Sequence, residues 1–275
     1  MAQHLEKLQV MKQTKTFRAL LVSALFILTS CDFTPPVNRK IIDAQSYIAD
    51  QKYDKAVFLY ENILESTLEP ELRLKICFQL GELNSIYVGN YKKAVKYYNE
   101  AKELTEEPLW LIKIEEKLAE VNYNYLKNYN EALKNYQRLT EFRPLLKRHD
   151  YFQFQIGMSY YNLKNYDKAL ELFNEIQKNS NHEYFIRSFY YIGLIFFEKK
   201  DYNMALFQWT EYTKRETKKE NIVMAKFWIA NVFEMTENLK DAYDLYYSII
   251  NDYPNPDVIQ NRLNSVYERR VARKR

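Results

Sequence analysis

The sequence is poor in helix-breaking residues and in the residues that most often bind metals. Its 275 residues include only 4 glycines, 7 prolines, 3 histidines and 2 cysteines. So few turn-forming residues leave most of the chain uninterrupted, and the scarcity of glycine argues against the phosphate loops of a nucleotide-binding fold. The histidines, His4, His149 and His182, lie far apart and are interpreted as surface residues. We therefore predict no metal site and no cofactor.

Catalytic motifs are also missing. The sequence contains no serine nucleophile elbow, no phosphate loop and no paired-cysteine motif. The acidic pairs Glu106-Glu107 and Glu115-Glu116 are interpreted as solvated helix charge, and Cys77 as a small buried hydrophobe. The sequence therefore predicts no enzymatic activity, and a hydrolase is the weakest of the alternatives considered.

Aromatic residues are abundant, and the charge of the chain is nearly balanced. The 25 tyrosines, 16 phenylalanines and 3 tryptophans can bury a core, which excludes disorder for most of the chain. The net charge of +4 arises at the two ends: residues 1–30 carry four basic and one acidic residue, and residues 266–275 carry five and one. The remaining 31 basic and 34 acidic residues leave the body at −3, so we predict no nucleic-acid binding.

The N-terminus has the pattern of a bacterial export signal. A basic segment, Met11–Arg18, precedes a largely apolar run of ten residues, 19–28, which is too short to cross a bilayer. The next residues complete a Leu-Thr-Ser-Cys sequence at 28–31, which resembles the lipobox of bacterial lipoproteins. The resemblance implies cleavage between Ser30 and Cys31 and acylation of Cys31, with palmitate among the attached chains. The alternative is an ordinary signal peptide with a cysteine near its cleavage site.

These motifs divide the first part of the chain. Residues 1–30 are predicted to be the signal peptide and residues 31–36, which contain Pro35-Pro36, a short lipidated tether. Because residues 1–10 fit a signal peptide poorly, the true start is either Met1 or Met11, with Met11 preferred. Two or more acyl chains hold a protein stably at a membrane.

The rest of the chain is periodic. An alanine recurs every 36–38 residues, and each is flanked by a large residue three positions before it, an aromatic residue four after it and a further apolar residue seven after it. Alanine is expected where two helices cross closely, and the aromatic residue one turn later lies on the same helix face. The six alanines are Ala56, Ala94, Ala132, Ala169, Ala205 and Ala242.

A small residue also recurs before each alanine, in a predicted first helix of each repeat. Ala44, Gly157, Gly193 and Ala230 each stand twelve residues before their alanine, and Gly81 stands thirteen before Ala94. The extra residue of repeat two is predicted in the loop near Gly89. In repeat three Glu120 occupies the position of the small residue, so this first helix departs from the pattern.

This pattern resembles the tetratricopeptide repeat over residues 37–255. The resemblance implies an all-α, right-handed solenoid of about six helix-turn-helix repeats, followed by a capping helix and a basic tail in residues 256–275. In style the chain is similar to the repeat lipoprotein of the outer-membrane β-barrel assembly machinery, the Tol–Pal-associated coordinator and the type IV pilotins. The resemblance implies binding of other proteins and no small-molecule substrate.

In this repeat family the first helices line a concave face, so inner positions of this chain can be named. Repeats one to three place polar residues there, including Gln45, Lys75, Glu82, Ser85, Lys117 and Asn124. Repeats four to six place apolar residues there, and we hypothesise that these form a groove for a helix or extended peptide. The alternative is that they pack between neighbouring repeats. They are Tyr151, Phe154, Met158, Tyr161, Tyr190, Leu194, Phe197, Met224 and Phe227.

The C-terminal tail is the second candidate surface. Its cations suit the end of a helix, or alternatively they contact anionic lipid or an acidic partner. The residues are Arg269, Arg270, Arg273, Lys274 and Arg275.

Together these features predict a non-catalytic, lipid-anchored scaffold or adaptor of the bacterial cell envelope that faces the periplasm and binds other envelope proteins. The alternative is an assembly factor or chaperone, of the barrel-assembly or pilotin kind, that holds a client. The outer membrane is favoured over the inner because the similar proteins reside there. Asp32, however, resembles an inner-membrane retention signal of enteric bacteria.

Overall fold

The computed structural model describes residues 36–273, and all of its regular elements are helices. They alternate along the chain as first and second helices of hairpins. The helices are α1 (Pro36–Ala49), α2 (Tyr53–Leu64), α3 (Pro70–Glu82), α4 (Tyr91–Glu103), α5 (Pro108–Glu120), α6 (Tyr129–Glu141), α7 (His149–Asn162), α8 (Tyr166–Lys178), α9 (Phe185–Glu198), α10 (Tyr202–Arg215), α11 (Lys219–Met235), α12 (Leu239–Ile249) and α13 (Pro256–Ala272).

Six consecutive helix pairs, α1–α2 to α11–α12, form the repeats, and α13 follows them. All six recurring alanines are fully buried, as expected where helices cross closely. Helix α13 buries Ile259, Leu263 and Val266 against the last repeat, which is the role predicted for a capping helix. The prediction of an all-α solenoid of paired helices is therefore confirmed for the part of the chain that the structure describes.

The small residues of the first helices face the large residue of the second helix in the same repeat. A Cβ atom on Gly193 would lie 2.5 Å from the Trp209 indole nitrogen, and one on Gly157 would lie 2.7 Å from the Phe173 ring. Both distances are shorter than a van der Waals contact, so a larger residue would displace these rings and only glycine allows them to lie where they do.

The turn inside each hairpin has the same backbone in all six repeats. The residue five positions before each alanine has a positive φ, between 53° and 74°, although it is glycine only at Gly89. In four repeats the next residue caps the second helix, with a side-chain oxygen that accepts a hydrogen bond from a backbone N–H three residues on. The caps are Asn90, Asn128, Asn165 and Asp201.

The extra residue of repeat two lies inside the first helix, so its predicted place in the loop was wrong. Helix α3 continues into a π-helical turn, Leu83–Val88, and α5 continues into another, Val121–Tyr125. A π turn holds one more residue than an α turn, which moves the small residue to thirteen before the alanine in both repeats. In repeat three that residue is Ala119, fully buried, and Glu120 is exposed beside it.

Two assignments of polar residues to the surface were also wrong. The Glu115 side chain is only 2% exposed and pairs with Lys102, so it is a buried carboxylate and not solvated helix charge. His182 lies in a loop as predicted but is buried, because the loop folds onto α7. Cys77 is a free, buried cysteine, as expected.

Candidate partner-binding surface

The nine residues predicted to line a groove all lie on the first helices α7, α9 and α11. Phe154 is buried, with only 5% of its surface exposed, and the other eight are half-buried. We call these nine residues the C-terminal groove. The intermediate burial of the other eight means that each of those side chains packs inside the repeat stack and is also partly exposed.

The rings of repeats four and five are held by one another. Phe154 stacks on Tyr184 with ring centroids 4.4 Å apart, and its edge contacts Tyr191 at 5.5 Å. Tyr191 in turn stacks on Phe173, the large residue of the second helix, at 5.8 Å. Such contacts add about 0.5–1.5 kcal/mol each beyond area burial, so they fix the ring orientations at this end of the groove.

Repeats five and six continue this arrangement around Tyr190. The Trp228 indole N–H donates to the Tyr190 hydroxyl at 2.9 Å, and the Trp209 indole N–H donates to the Tyr190 carbonyl at 3.0 Å. Phe197 lies against Trp228 with centroids 5.4 Å apart. The polar atoms of both indoles are therefore satisfied within the protein.

Burial also changes the acid–base properties of the groove tyrosines. It raises the pKa of Tyr161 to about 12, with the nearby carboxylate of Glu198 contributing. It raises the pKa of Tyr190 as well, although the hydrogen bond from Trp228 acts in the opposite direction. Both tyrosines are neutral at physiological pH, so the groove carries no charge of its own from these residues.

Two groove neighbours were missed from the sequence. Tyr191 and Trp228 are half-buried on α9 and α11 and contact groove rings directly. Each stands two residues before the small residue of its helix, Gly193 or Ala230. The repeat register could therefore have identified both, because Lys117, a predicted inner residue of repeat three, stands two residues before Ala119.

The same face of repeats two and three is polar. Lys117 bridges to Glu82 with 3.0 Å between charged atoms, and Glu82 accepts a hydrogen bond from the Tyr98 hydroxyl. Ser85 is also within hydrogen-bond distance of that hydroxyl, at 3.1 Å. Of the other polar positions predicted here, Gln45, Lys75 and Asn124 are exposed.

The basic tail is tied to the last repeat through ion pairs. Arg269 reaches the buried carboxylate of Glu234 at 3.1 Å and also pairs with Glu237, while Arg273 pairs with Glu237 at 2.6 Å. Arg270 lies over the Tyr243 ring, 5.6 Å from its centroid. Three of the five predicted cations thus contact the protein itself, and Lys274 and Arg275 lie outside the described residues.

The predicted anchor falls on residues that the structure does not describe. The signal peptide, the cleavage position at Ser30-Cys31, the lipidated Cys31 and the tether as far as Pro35 lie outside residues 36–273. Within that range no helix is long and apolar enough to cross a membrane, and no group of three His, Cys, Asp or Glu residues is placed to hold a metal ion.

Comparisons with known proteins agree with the repeat architecture. Two family models described as tetratricopeptide repeat match the chain, one at residues 151–180 and 224–256 and the other at residues 74–108. These ranges fall in repeats four, six and two. No curated protein sequence matches the chain.

Solved structures with a similar fold are themselves repeat proteins. The C-terminal part of a tetratricopeptide-repeat protein from Cytophaga hutchinsonii matches with a TM-score of 0.61 at 15% identity, over 91% of this chain and 96% of that one. PilW, a type IV pilus biogenesis factor, matches with a TM-score of 0.51 at 16% identity, over 85% and 99%.

A larger protein contains the same arrangement as one of its parts. A signal transduction ATPase with a tetratricopeptide-repeat sensor, from Pyrococcus horikoshii, matches with a TM-score of 0.59 at 19% identity over 82% of this chain. This chain spans only 38% of that protein. At these identities the likeness concerns the fold. The model matches identify tetratricopeptide repeats in repeats two, four and six, and the structural likeness shows the solenoid fold.

Proposed function

We propose that this chain is a non-catalytic scaffold of the bacterial cell envelope that binds a segment of another protein in the C-terminal groove. Tetratricopeptide-repeat folds are in general protein-interaction scaffolds without catalytic activity. The observation that carries the proposal is the row of half-buried apolar side chains on α7, α9 and α11, on a face where repeats two and three instead carry the Glu82–Lys117 ion pair.

The chemistry of the groove indicates what it binds. Trp228, which is half-buried beside the groove, donates its indole N–H to the Tyr190 hydroxyl, so its exposed part offers apolar surface and no unsatisfied donor. Aromatic side chains that are already oriented lose little conformational entropy when a partner binds. The groove therefore suits apolar side chains of a helix or an extended segment, with its rings as the anchors of the interface.

A polar substitution inside the groove tests this proposal. Met158 is half-buried on α7, and Met158→Gln keeps an unbranched side chain while adding an amide. Met204→Gln is the matched control, because Met204 is 37% exposed on the second helix α10. Partners captured by the wild-type protein from membranes, identified by mass spectrometry, should be lost with Met158→Gln and kept with Met204→Gln.

Melting temperatures separate binding from stability. Unchanged melting of Met158→Gln with loss of the partner supports the groove. A large drop in melting temperature would assign Met158 to the core, and unchanged capture by a stably folded variant would contradict the proposal. Phe197→Ala, compared with Phe207→Ala at a 56% exposed phenylalanine of α10, repeats the test on a ring.

We also propose that the chain is anchored by lipid on Cys31 and faces the periplasm, at the outer membrane in preference to the inner. The support is the basic segment, the ten-residue apolar run and the lipobox-like residues 28–31. Mass spectrometry of the mature N-terminus should find an acylated cysteine, and Cys31→Ser should release the protein from membranes. Density-gradient fractions would then distinguish the two membranes. An unmodified N-terminus at another residue would contradict the anchor.

An adaptor and an assembly factor would use the same groove and differ in the lifetime of the complex. A complex recovered at fixed stoichiometry without cross-linking supports the adaptor. Capture that requires cross-linking and disappears when synthesis of the client stops supports the assembly factor. The scaffold fold itself supports both outcomes equally.

A further inference from the structure

A second recess lies away from the C-terminal groove, between the second helices of repeats three and four. It is a cleft of about 470 Å³, bounded by α6 and α8, floored by α7 and closed at one end by the loop that contains His182. None of the nine groove residues lines it. A volume of this size lies within the range of small-molecule sites.

The cleft presents a polar rim above an apolar floor. Ile156, Leu172, Ile176 and the Tyr160 ring form the apolar part. No lysine or arginine lines the cleft, and its one carboxylate, Glu175, is paired with Lys178. The polar residues are Gln137, Thr140, Gln153, Glu175, Asn179 and His182.

The buried His182 fixes the orientation of one of these amides. Its Nδ1 accepts a hydrogen bond from the Tyr184 backbone N–H at 3.0 Å, so the ring proton resides on Nε2. Nε2 therefore donates to the Gln153 Oε1 atom, 3.2 Å away. Burial lowers the pKa of His182, which favours this neutral form. The Gln153 amide oxygen is thereby occupied, and its NH₂ group remains as a donor.

Two neighbours are oriented in a similar way. The Asn179 Oδ1 atom accepts from the Asn181 backbone N–H at 3.0 Å, which leaves the Asn179 NH₂ group as a second donor. The Thr140 hydroxyl donates to the Gln137 carbonyl at 2.7 Å, which leaves oxygen lone pairs as acceptors. The rim thus offers preset donors and acceptors without a net cationic charge.

From this arrangement we propose that the cleft binds a neutral saccharide unit, as a ligand and not as a substrate. Each sugar hydroxyl can both donate and accept, so it matches a rim that contains amide donors as well as hydroxyl and carboxylate acceptors. The C–H face of the sugar ring matches the floor of Ile156, Leu172 and Ile176. An anionic ligand would find no lysine or arginine among the lining residues to pair with.

Saturation-transfer NMR with the purified full chain tests this proposal. Chitobiose and maltotriose, two neutral saccharides, should show transfer from the protein, and galacturonic acid should show much less. Gln153→Ala should weaken binding about fivefold, the effect of one lost hydrogen bond. Gln45→Ala, at an exposed glutamine of α1, is the matched control and should bind as the wild type does.

Because Gln153→Ala also removes the partner of a buried histidine, Asn179→Ala provides a second test at an exposed position. It should weaken binding without a change in melting temperature. Tighter binding of longer oligomers would identify a polysaccharide as the source, and equal binding of free sugars would identify a soluble ligand. Dissociation constants above about 10 mM for both neutral probes would overturn the proposal. So would equal binding of galacturonic acid, or wild-type affinity in both variants.

Discussion

The first-helix face carries an ion pair in repeats two and three, and mainly apolar side chains, several of them aromatic, in repeats four to six. Glu82 and Lys117 bridge neighbouring first helices on the one side, whereas Phe154, Tyr190 and Phe197 continue the same face on the other. Both halves have the same buried alanines and the same positive-φ residue in the hairpin turn. The backbone of the repeat is therefore independent of the chemistry that its inner face presents.

The large residue of the second helix follows this division. Tyr98 in repeat two binds Glu82 and Ser85 through its hydroxyl, while Trp209 in repeat five is surrounded by Phe197, Trp228 and the backbone of Tyr190. The Tyr98 hydroxyl is held by polar partners, whereas Trp209 is held mainly by ring contacts and makes one hydrogen bond, to the Tyr190 carbonyl. This difference is the basis for the proposal that a partner binds in the aromatic half.

The largest expected effect is that of removing the buried ring from the aromatic half. Trp209 is fully buried, so Trp209→Ala should lower the free energy of unfolding by about 3–5 kcal/mol. Tyr98→Phe, which keeps the ring and removes only the hydroxyl, should cost about 1 kcal/mol. Urea unfolding followed by circular dichroism measures both, and a smaller loss for Trp209→Ala than for Tyr98→Phe would refute the division.

A buried carboxylate gives the next effect, in the polar half. Glu115 pairs with Lys102 and accepts a hydrogen bond from Asn135 at 2.6 Å. Glu115→Ala leaves these groups unpartnered and should cost about 2 kcal/mol. The neighbouring Glu116 is the control, because its side chain is partly exposed and lies 3.6 Å from the Arg148 guanidinium. Glu116→Ala should lower the free energy of unfolding by less than about 1 kcal/mol. Equal losses of unfolding free energy in the two variants would contradict the burial of Glu115.

Alkaline pH should weaken the fold through its buried tyrosines. Burial raises the pKa of Tyr161 and of Tyr123 to about 12, above the ordinary value of 10. Between pH 10 and 12 the unfolded chain has released these protons and the folded chain has not, so stability is full below pH 10 and falls as pH rises. Tyr161→Phe should make this fall shallower, as measured by urea midpoints across that range. An unchanged slope would contradict the assigned burial.

The smallest expected effect is a gain that both halves should share. Lys127 and Lys164 hold φ values of 53° and 58°, a conformation that glycine adopts with less strain. Lys127→Gly and Lys164→Gly should each raise the free energy of unfolding by about 0.5 kcal/mol, the relief of strain less the added entropy of the unfolded chain. Gains that differ between the two variants would show that the hairpin backbone is not shared.

The sequence predicted the register of the repeats because helix crossing requires a small residue at a fixed spacing, and all six alanines are buried. It did not locate the π-helical turns, because an extra residue between Gly81 and Ala94 gives the same spacing in the sequence whether it lies in a helix or in a loop. It also missed the burial of Glu115, because that depends on Lys102 and Asn135, which other helices supply.

The candidate groove was predictable in position and not in detail. The periodic pattern identified which side chains lie on the first helices, and the structure places all nine there. The pattern could not show that the Tyr190 hydroxyl accepts a hydrogen bond from the Trp228 indole N–H, because that contact joins residues 38 positions apart in the chain. The identity of a partner depends on a second molecule, so the fold and the sequence of this chain determine only the chemistry offered to it.

The π-helical turns at Leu83–Val88 and Val121–Tyr125 absorb an inserted residue where a strict α-helix would rotate everything beyond it by about 100°. The wider turn keeps Gly81 and Ala94 on their proper faces and leaves the joint between the helices unchanged. It also pushes Tyr87 and Tyr125 outwards, where each is about half exposed and stacks on a tyrosine of the preceding repeat, 4.2 Å between centroids. The inserted residue thus changes which side chains are exposed at the surface, and it leaves the packing of the helices in the core unaltered.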